Sequence, residues 1–393
     1  MIFIIAPNPF KDKDREGYLQ RVASIDNILE GHKIYYSGDF CSSEQIAKML
    51  VKADHIYVHS IYQAELIIDC YQVFGHKIIT DLHGVVPEEE YMRGEHRRSR
   101  ELGEVEKKVF EHGSVFIAVT SAMKEHYIKK YSWAKSKKWI LLPIFTDVST
   151  NKDISNKIPR RVVYAGGAQK WQNVDLIIET INKSSSEYSY DILTKDKQEF
   201  TSINKKEKVK IFSIEHTMIY SIYLKSELGF VLRDDNLVNR VACPTKLVEY
   251  LAYGVVPVIK SSNIGDFDKM GYKYFNYEDV INNAITNQKI DQYRSRNYEV
   301  IEKLMLVSCG GINELENILK KHNDKPMNIE MLVESAINNS VNTKELNATL
   351  YQVAEQIKII NEYAKAVEYY RNNEKQNPNT KKKKLFKVKF RKR

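Results

Sequence analysis

Short apolar runs alternate with helix-length segments along most of the chain. The runs are almost continuously apolar, which is typical of strands that are covered on both faces. Strands that alternate with helices predict a parallel sheet with crossover helices, so we predict an α/β domain over residues 1–150. Its six runs lie at residues 2–6, 33–37, 55–60, 77–82, 114–120 and 139–144.

A second series of the same kind follows a polar segment, residues 146–160, which predicts a linker. These runs predict a second α/β domain over residues 151–323, facing the first across a cleft. In such sheets ligands bind just outside the carboxyl ends of the strands. The runs lie at residues 161–166, 190–194, 209–214, 228–233 and 255–260.

Beyond residue 323 the pattern becomes purely helical. Apolar residues recur with a period of 3.5, which predicts a coiled-coil-like extension over residues 326–376 and homo-oligomerisation through residues 346–367. Packing of this seam on the protein's own domains is the alternative. The seam residues are Leu346, Leu350, Val353, Ile357, Ile360, Ala364 and Val367.

The net charge of +9 is concentrated at the end of the chain. Residues 381–393 contain nine lysines and arginines and no acid, whereas the other residues hold equal numbers of bases and acids. Within a basic tail over residues 377–393, we expect this segment to bind an anionic membrane surface, with its apolar residues entering the headgroup region. Nucleic acid is the less favoured partner, because the neutral body offers no second basic patch. A merely solvated tail is the remaining alternative.

The four cysteines are widely spaced, and no run of apolar residues is long enough to cross a membrane. The cysteines are therefore expected to be reduced thiols. Together with the basic tail, these features predict a cytoplasmic protein at the inner face of the plasma membrane.

The densest cluster of chemically useful residues lies between residues 233 and 259. Pro244 at the first helical position and Gly254 just past the end predict a helix over residues 244–252. The free N–H groups at Thr245 and Lys246, the helix dipole and the Lys246 ammonium predict an anion site. Glu249 lies about 5 Å further along the axis, where a carboxylate can accept hydrogen bonds from ribose hydroxyls. A surface ion pair between Lys246 and Glu249 is the alternative.

Two other strand ends add candidates to the same cleft. Gly166 and Gly167 follow a second-domain strand and let backbone and Lys170 approach a phosphate closely. In the first domain, His83 follows the strand that ends at residue 82. A hydrogen-bonded structural role is the alternative for His83.

The segments PTKLVEYLAYGVVPVI, VVYAGGAQKWQNVDLII and TDLHGVVPEE resemble retaining glycosyltransferases of the GT-B fold, family-4-like enzymes that assemble bacterial surface polysaccharides. The resemblance covers residues 1–320 and implies two Rossmann-like domains, an N-terminal acceptor domain and a C-terminal nucleotide-sugar domain. It implies that Lys170 and Arg233 neutralise a donor diphosphate, that Glu249 holds the ribose and that His83 lines the reaction centre. It also places Gly17, and the helix carrying Arg21, near the donor phosphate and acceptor.

The same resemblance implies the reaction. A hexose would pass from a nucleotide diphosphate donor, UDP-sugar first among the candidates, to a glycan or lipid-linked hydroxyl, with retention and without a metal or other cofactor. One departure matters: the family often has a glutamate at the position of Val241, near the donor sugar, and Asp235 or Asn236 are the candidates to replace it. Because of Val241, a catalytically silent GT-B subunit that binds a partner or a glycan is the alternative. A nicotinamide oxidoreductase is disfavoured because no G-x-G-x-x-G follows the first strand.

Overall fold

The computed structural model describes residues 1–11, 17–41, 43–143, 150–204 and 206–320. The described residues of 1–40 and 53–320 lie in one compact unit, and the helix Ser43–Lys52 belongs to a second unit. The predicted coiled-coil-like extension and basic tail lie outside the described residues.

The first sheet has six parallel strands in the order β2-β1-β3-β4-β5-β6. All six predicted strands are confirmed. Every residue of β1, β3 and β4 is buried, as expected for strands covered on both faces. The strands are β1 (Ile2–Ile5), β2 (Ile34–Tyr36), β3 (His55–His59), β4 (Ile78–Leu82), β5 (Val115–Ala118) and β6 (Lys138–Leu141).

Helices occupy the chain between these strands. The N-cap of the helix after β5 is Thr120, whose hydroxyl accepts a hydrogen bond from the Met123 amide. In chain order the helices are α1 (Gly17–Ile28), α2 (Ser43–Lys52), α3 (Ser60–Glu65), α4 (Tyr71–Phe74), α5 (Val86–Arg93), α6 (His96–His112) and α7 (Ser121–Lys130).

The second sheet is also six-stranded and parallel, in the order β12-β11-β10-β7-β8-β9. The five predicted strands are confirmed, and the short edge strand β12 escaped the sequence pattern. Strand β7 begins at Ile158, which pairs with Ser226, so the prediction of a linker through residue 160 was wrong at its end. The strands are β7 (Ile158–Ala165), β8 (Ser189–Leu193), β9 (Val209–Phe212), β10 (Ser226–Val231), β11 (Val256–Ile259) and β12 (Phe275–Asn276).

The helices of the second half include the amphipathic α8, whose Ile177, Ile178 and Ile181 are buried in the core of the second sheet. In chain order they are α8 (Val174–Lys183), α9 (His216–Tyr223), α10 (Leu237–Arg240), α11 (Thr245–Ala252), α12 (Phe267–Met270), α13 (Tyr277–Ile281) and α14 (Asn287–Leu319). Short 3₁₀ helices lie at Ser37–Asp39, Ile68–Cys70, Gly75–Lys77, Ser132–Ser136, Lys170–Gln172, Lys197–Phe200 and Lys206–Lys208. None of the described helices is both long enough and apolar enough to cross a membrane.

Each sheet has its own hydrophobic core, and α14 joins the two. Ile290 near its start packs in the second core, whereas Leu315 and Leu319 near its end pack in the first. The carbonyl of Leu319 also lies 3.2 Å from Nε2 of His55. The helix thereby ties the end of the second half to the first sheet.

Direct hydrogen bonds connect the two halves near the carboxyl ends of their strands. The Thr120 hydroxyl donates to the carbonyl of Val241 at 2.7 Å. Asp266 accepts from the Ser121 amide and hydroxyl, at 2.5 and 2.7 Å, and from the Ala122 amide at 3.1 Å. A carboxylate of the second half therefore satisfies free N–H groups of α7 in the first half.

Candidate functional site

Helix α11 begins one residue later than the sequence predicted. Pro244 has extended backbone angles, φ −67° and ψ 121°, so it is the N-cap and not the first helical residue. Gly254 follows the helix at φ +64°, as predicted, in the left-handed region that favours glycine. Its side chains from Lys246 to Ala252 are all buried, so the helix presents a lysine and a glutamate to the interior.

The Lys246 ammonium lies in a tight enclosure. Its Nζ donates to Oε1 of Gln172 at 2.9 Å and lies 4.0 Å from the centre of the Tyr164 ring. A Cβ on Gly166 would come within 2.8 Å of Nζ, and the φ of +154° also favours glycine there. Burial lowers the pKa of Lys246 well below its ordinary value, and the neighbouring charge of Arg233 lowers it further. The structure therefore brings the predicted residues Gly166, Lys246 and Arg233 together.

Arg233 is a second buried cation beside Lys246. One of its nitrogens, Nη1, donates to Oδ1 of Asn239 at 3.2 Å, whereas the buried Nε has no hydrogen-bond partner among the described residues. Burial lowers the pKa of Arg233 to about 10. Neither cation forms an ion pair with a described residue, and the nearby carboxylates of Glu249 and Glu89 act on them only through longer-range electrostatics.

Glu249 is buried and 3% exposed, so a surface ion pair with Lys246 is excluded. Its carboxylate accepts a hydrogen bond from the Tyr223 hydroxyl at 2.9 Å. Burial and this carboxylate raise the pKa of Tyr223, which stays protonated as the donor. The contact of this carboxylate with a ribose stays a prediction.

The remaining predicted residues of the second half are more exposed than Lys246. Lys170 is exposed and Thr245 is half-buried at the start of α11. The carbonyl of Gly167 accepts a hydrogen bond from the Tyr164 hydroxyl at 2.5 Å. Next to Lys170, the Trp171 ring lies 5.2 Å from the guanidinium of Arg93 in the first half, which joins this loop to α5.

In the first half, His83 stacks on a residue that the sequence analysis missed, His59. The two rings lie 4.2 Å apart with an angle of 23° between their planes. His59 is 1% exposed, and neither of its ring nitrogens makes a well-formed hydrogen bond with a described residue. Burial lowers the pKa of both histidines, which favours the neutral rings. The signal was available: His59 ends β3 opposite Asp81 on β4, so both strand ends meet at one edge.

Asp81 and Arg21 form a buried ion pair below these rings. Arg21 donates to both Asp81 oxygens, at 2.8 and 3.1 Å, and to the carbonyls of Leu142 and Pro143, at 3.0 and 2.9 Å. Tyr57 also donates to Asp81. Burial alone would raise the pKa of Asp81, but Arg21 holds it at about 2. Arg21 therefore connects β4 to the end of β6, and the expectation that its helix lies near a donor phosphate and acceptor stays a prediction. Gly17 is the first residue of the same helix.

His59, Asp81 and His83 each offer a ligand atom within 4.8 Å of the others, a spacing that a metal ion could bridge. The set does not fit a cation, because both Asp81 oxygens already accept hydrogen bonds and the Arg21 guanidinium at 2.8 Å would repel it. Of the two stacked histidines at the edge of the first sheet, His59 is buried and His83 is half-buried.

Val241 ends helix α10, with its side chain 3% exposed and its carbonyl bonded to Thr120. The two residues considered as replacements for a glutamate there make local contacts. Asp235 pairs with Arg240 at 2.6 Å, and the Asn236 side chain caps α10 by accepting from the Asn239 amide at 3.0 Å.

No family model matches this chain, and no curated protein matches it by sequence. Solved structures do match. Sucrose-phosphate synthase from Thermosynechococcus elongatus superposes with a TM-score of 0.60 at 11% identity, over 81% of this chain and 98% of that protein. WaaG, a glycosyltransferase involved in lipopolysaccharide biosynthesis, superposes with a TM-score of 0.55 at 12% identity, over 81% and 99%. The chain has the GT-B fold.

A third match is the pneumococcal O-GlcNAc transferase GtfA, whose structure contains UDP and GlcNAc. It superposes with a TM-score of 0.53 at 11% identity over 72% of this chain, and the chain spans 61% of the length of GtfA. Identities this low show the shared GT-B fold, and the role of each residue has to be argued from this chain.

Proposed function

We propose that this protein transfers a sugar from a nucleotide diphosphate donor to a hydroxyl of a glycan or lipid-linked acceptor, with retention of the anomeric configuration. The GT-B fold is shared with structural neighbours that are glycosyltransferases, one of them bound to UDP. A hexose on UDP is the proposed donor, and bacterial surface polysaccharide is the proposed product.

The observation that carries this proposal is the pair of buried cations, Lys246 and Arg233, of which Lys246 packs against Gly166. Burying charge without a counter-ion is unfavourable, so such a pocket gains most from an anionic ligand. The glycine allows a phosphate to approach the backbone, and the exposed Lys170 adds a third cation. A diphosphate that leaves during the reaction would be stabilised here as its charge develops.

In the proposed reaction, the bond between the anomeric carbon and the diphosphate oxygen breaks, and its electron pair leaves with the diphosphate. The acceptor oxygen forms the new bond on the same face and gives its proton to the departing phosphate oxygen. The protein positions the reactants and stabilises the leaving group. Because the cationic groups Lys170, Arg233 and Lys246 can supply that stabilisation, we propose that the reaction needs no metal.

The second candidate is a catalytically silent GT-B subunit that binds a partner protein or a glycan. Val241 favours it, because a buried valine with a tethered carbonyl cannot contact a donor sugar as a glutamate would. The buried cations favour the transferase. Burying a cation costs free energy, and a subunit that binds no anionic donor would gain nothing in return.

We also propose that residues 381–393 hold the protein on the anionic inner face of the plasma membrane, where lipid-linked acceptors are available. Sedimentation with vesicles containing phosphatidylglycerol should require the tail and weaken with salt. Equal sedimentation after deletion of the tail would contradict this proposal.

Self-association through residues 346–367 is a separate proposal. Light scattering should give a lower mass after deletion of residues 326–393. An unchanged mass would favour packing of the seam on the protein itself or a dimer formed elsewhere.

A thermal-shift panel of UDP-, GDP-, dTDP- and CDP-sugars, each with and without EDTA, tests the central proposal. A donor at 100 times its Kd should stabilise the native protein by about 2.7 kcal/mol. We expect the sugar of one nucleotide to raise the melting temperature more than the others, both with and without EDTA. This thermal shift should disappear in Lys246→Met, and the wild-type protein should transfer the sugar. Binding without transfer would favour the silent subunit, and no binding to any donor would contradict both donor and site.

A further inference from the structure

A cavity of about 440 Å³ lies between α5 and α7 of the first half and α10 of the second. Its size is within the range of pockets that bind small ligands. One wall contains Glu88 and Tyr91, which come shortly after His83 in the chain. The other contains Asn236 and Leu237, which come shortly after Arg233. Both walls therefore continue the two strand ends at which the proposed reaction takes place.

The lining combines flat apolar surfaces with hydrogen-bonding groups. Tyr91 is 63% exposed, and Met92 and Leu237 are the apolar residues beside it. Asn236 and Glu88 supply amide and carboxylate groups. A sugar ring presents C–H groups on its faces and hydroxyls at its edge, so this mixture suits a carbohydrate better than a purely apolar ligand.

Glu88 points to the charge of the ligand. Its Oε1 accepts from Lys130 at 2.7 Å, whereas its Oε2 is buried and has no hydrogen-bond partner among the described residues. Lys130 is itself shared with Glu106 at 2.5 Å. Nε2 of His126 lies 3.8 Å from Oε1 of Glu88, and burial lowers the pKa of this imidazole, so the two carboxylates outnumber the ammonium. An unmet carboxylate oxygen gains from a donor such as a sugar hydroxyl and repels a phosphate or a uronic acid.

We propose that this cavity binds the acceptor as a neutral, hydroxyl-rich glycan, with Tyr91 as its stacking platform and Glu88 as a hydroxyl acceptor. The inference rests on the proposed function, because only a glycosyltransferase would use a sugar bound here as its acceptor. It adds a substrate class, neutral sugars, and a place for them that is separate from the cationic donor pocket around Lys246.

Ligand-observed saturation-transfer NMR tests the cavity without requiring turnover. The probes are neutral disaccharides, namely maltose, cellobiose, lactose and N,N′-diacetylchitobiose, compared with the anionic sugars glucose 1-phosphate and glucuronic acid. We expect at least one neutral probe to bind the full-length protein and its Kd to rise fivefold or more in Tyr91→Ala. Trp133→Ala removes another exposed aromatic side chain, one that does not line the cavity, and should leave the Kd unchanged.

Three results would each overturn the inference. The first is an equal Kd in Tyr91→Ala and wild type, and the second is that no neutral probe binds. The third is that the anionic sugars bind preferentially outside the Lys246 pocket. That pocket is identified by loss of the signal in Lys246→Met. The thermal shift produced by the nucleotide-sugar should be the same in Tyr91→Ala and wild type. If a disaccharide binds in a way that depends on Tyr91 but no nucleotide-sugar binds, the assignment of the cavity as a sugar site stands and the proposed glycosyltransferase function is contradicted.

Discussion

The two sites at the strand ends, one around Asp81 and the other around Lys246, differ in how their buried charges are paired. In the first half, Arg21 and Asp81 form a bidentate ion pair, and the remaining Arg21 donors reach two carbonyls. In the second half, Arg233 and Lys246 are buried side by side, and neither pairs with a described carboxylate. One site is a closed, hydrogen-bonded ion pair, whereas in the other the carboxylates of Glu249 and Glu89 act on the two cations without forming an ion pair with them.

The difference indicates that Arg21 stabilises the fold, whereas Lys246 is available to bind an anionic ligand. Removing one partner of a completed buried pair leaves an uncompensated charge, which is strongly destabilising. Removing one of two adjacent buried cations relieves repulsion and desolvation instead. Stability and activity should therefore respond in opposite ways at the two sites.

The largest expected effect is on the free energy of unfolding of Arg21→Ala. Because Asp81 would remain buried without its partner, we expect a loss of about 3 to 5 kcal/mol in urea unfolding. Arg97→Ala is the matched control, since Arg97 forms an exposed ion pair with Glu101 and should cost at most about 0.5 kcal/mol. Similar losses in the two variants would mean that the buried pair is not a structural element.

The next effect is on sugar transfer by Lys246→Met. Removing a charge that stabilises a leaving group should lower kcat by about 10² to 10³. The free energy of unfolding should change far less than in Arg21→Ala, because methionine fills the space and relieves repulsion with Arg233. Lys183→Met, which removes an exposed lysine of α8, should change neither quantity. A variant with normal turnover or a collapsed fold would contradict the comparison.

A smaller effect is expected at Glu249, which we propose binds the ribose. Glu249→Gln should weaken UDP binding by about tenfold, or about 1.4 kcal/mol, measured by titration calorimetry. Tyr223→Phe removes the tyrosine hydroxyl but keeps the carboxylate, so it should weaken binding less. If Tyr223→Phe has the larger effect, the carboxylate acts mainly within the fold.

The smallest effect concerns the pH dependence of stability at His59. Burial lowers the pKa of His59 in the folded protein, so the unfolded chain binds the proton more readily. Stability should therefore be complete above about pH 6.5 and fall as the pH drops below it, by at most about 1.4 kcal/mol per pH unit for this group. His59→Gln should make this fall shallower, whereas His32→Gln, which removes an exposed imidazole, serves as the control. Equal slopes in wild type and His59→Gln would show that His59 does not contribute.

The sequence was sufficient for the elements and for the approximate place of the site. Continuous apolar runs predicted eleven of the twelve described strands, because burial on both faces leaves a local signature. The short edge strand β12 has only two residues and leaves no such pattern. Helix α11 was predicted to within one residue from Pro244 and Gly254, because proline fixes φ before the helix and glycine readily adopts the left-handed conformation after it.

Only the tertiary structure decided which side chains meet. The packing of Lys246 against Tyr164 and Gln172, the stacking of His83 on His59 and the pairing of Arg21 with Asp81 join residues 24 to 82 positions apart. Such contacts depend on strand order, register and side-chain direction, none of which is encoded by spacing along the chain. The sequence pointed to Lys246 as a cation at a helix N-terminus, and to Arg21 only through the resemblance of its helix to a first-domain loop. The fold determined that the charge of Arg21 is neutralised by a carboxylate and that Lys246 lies beside a second cation.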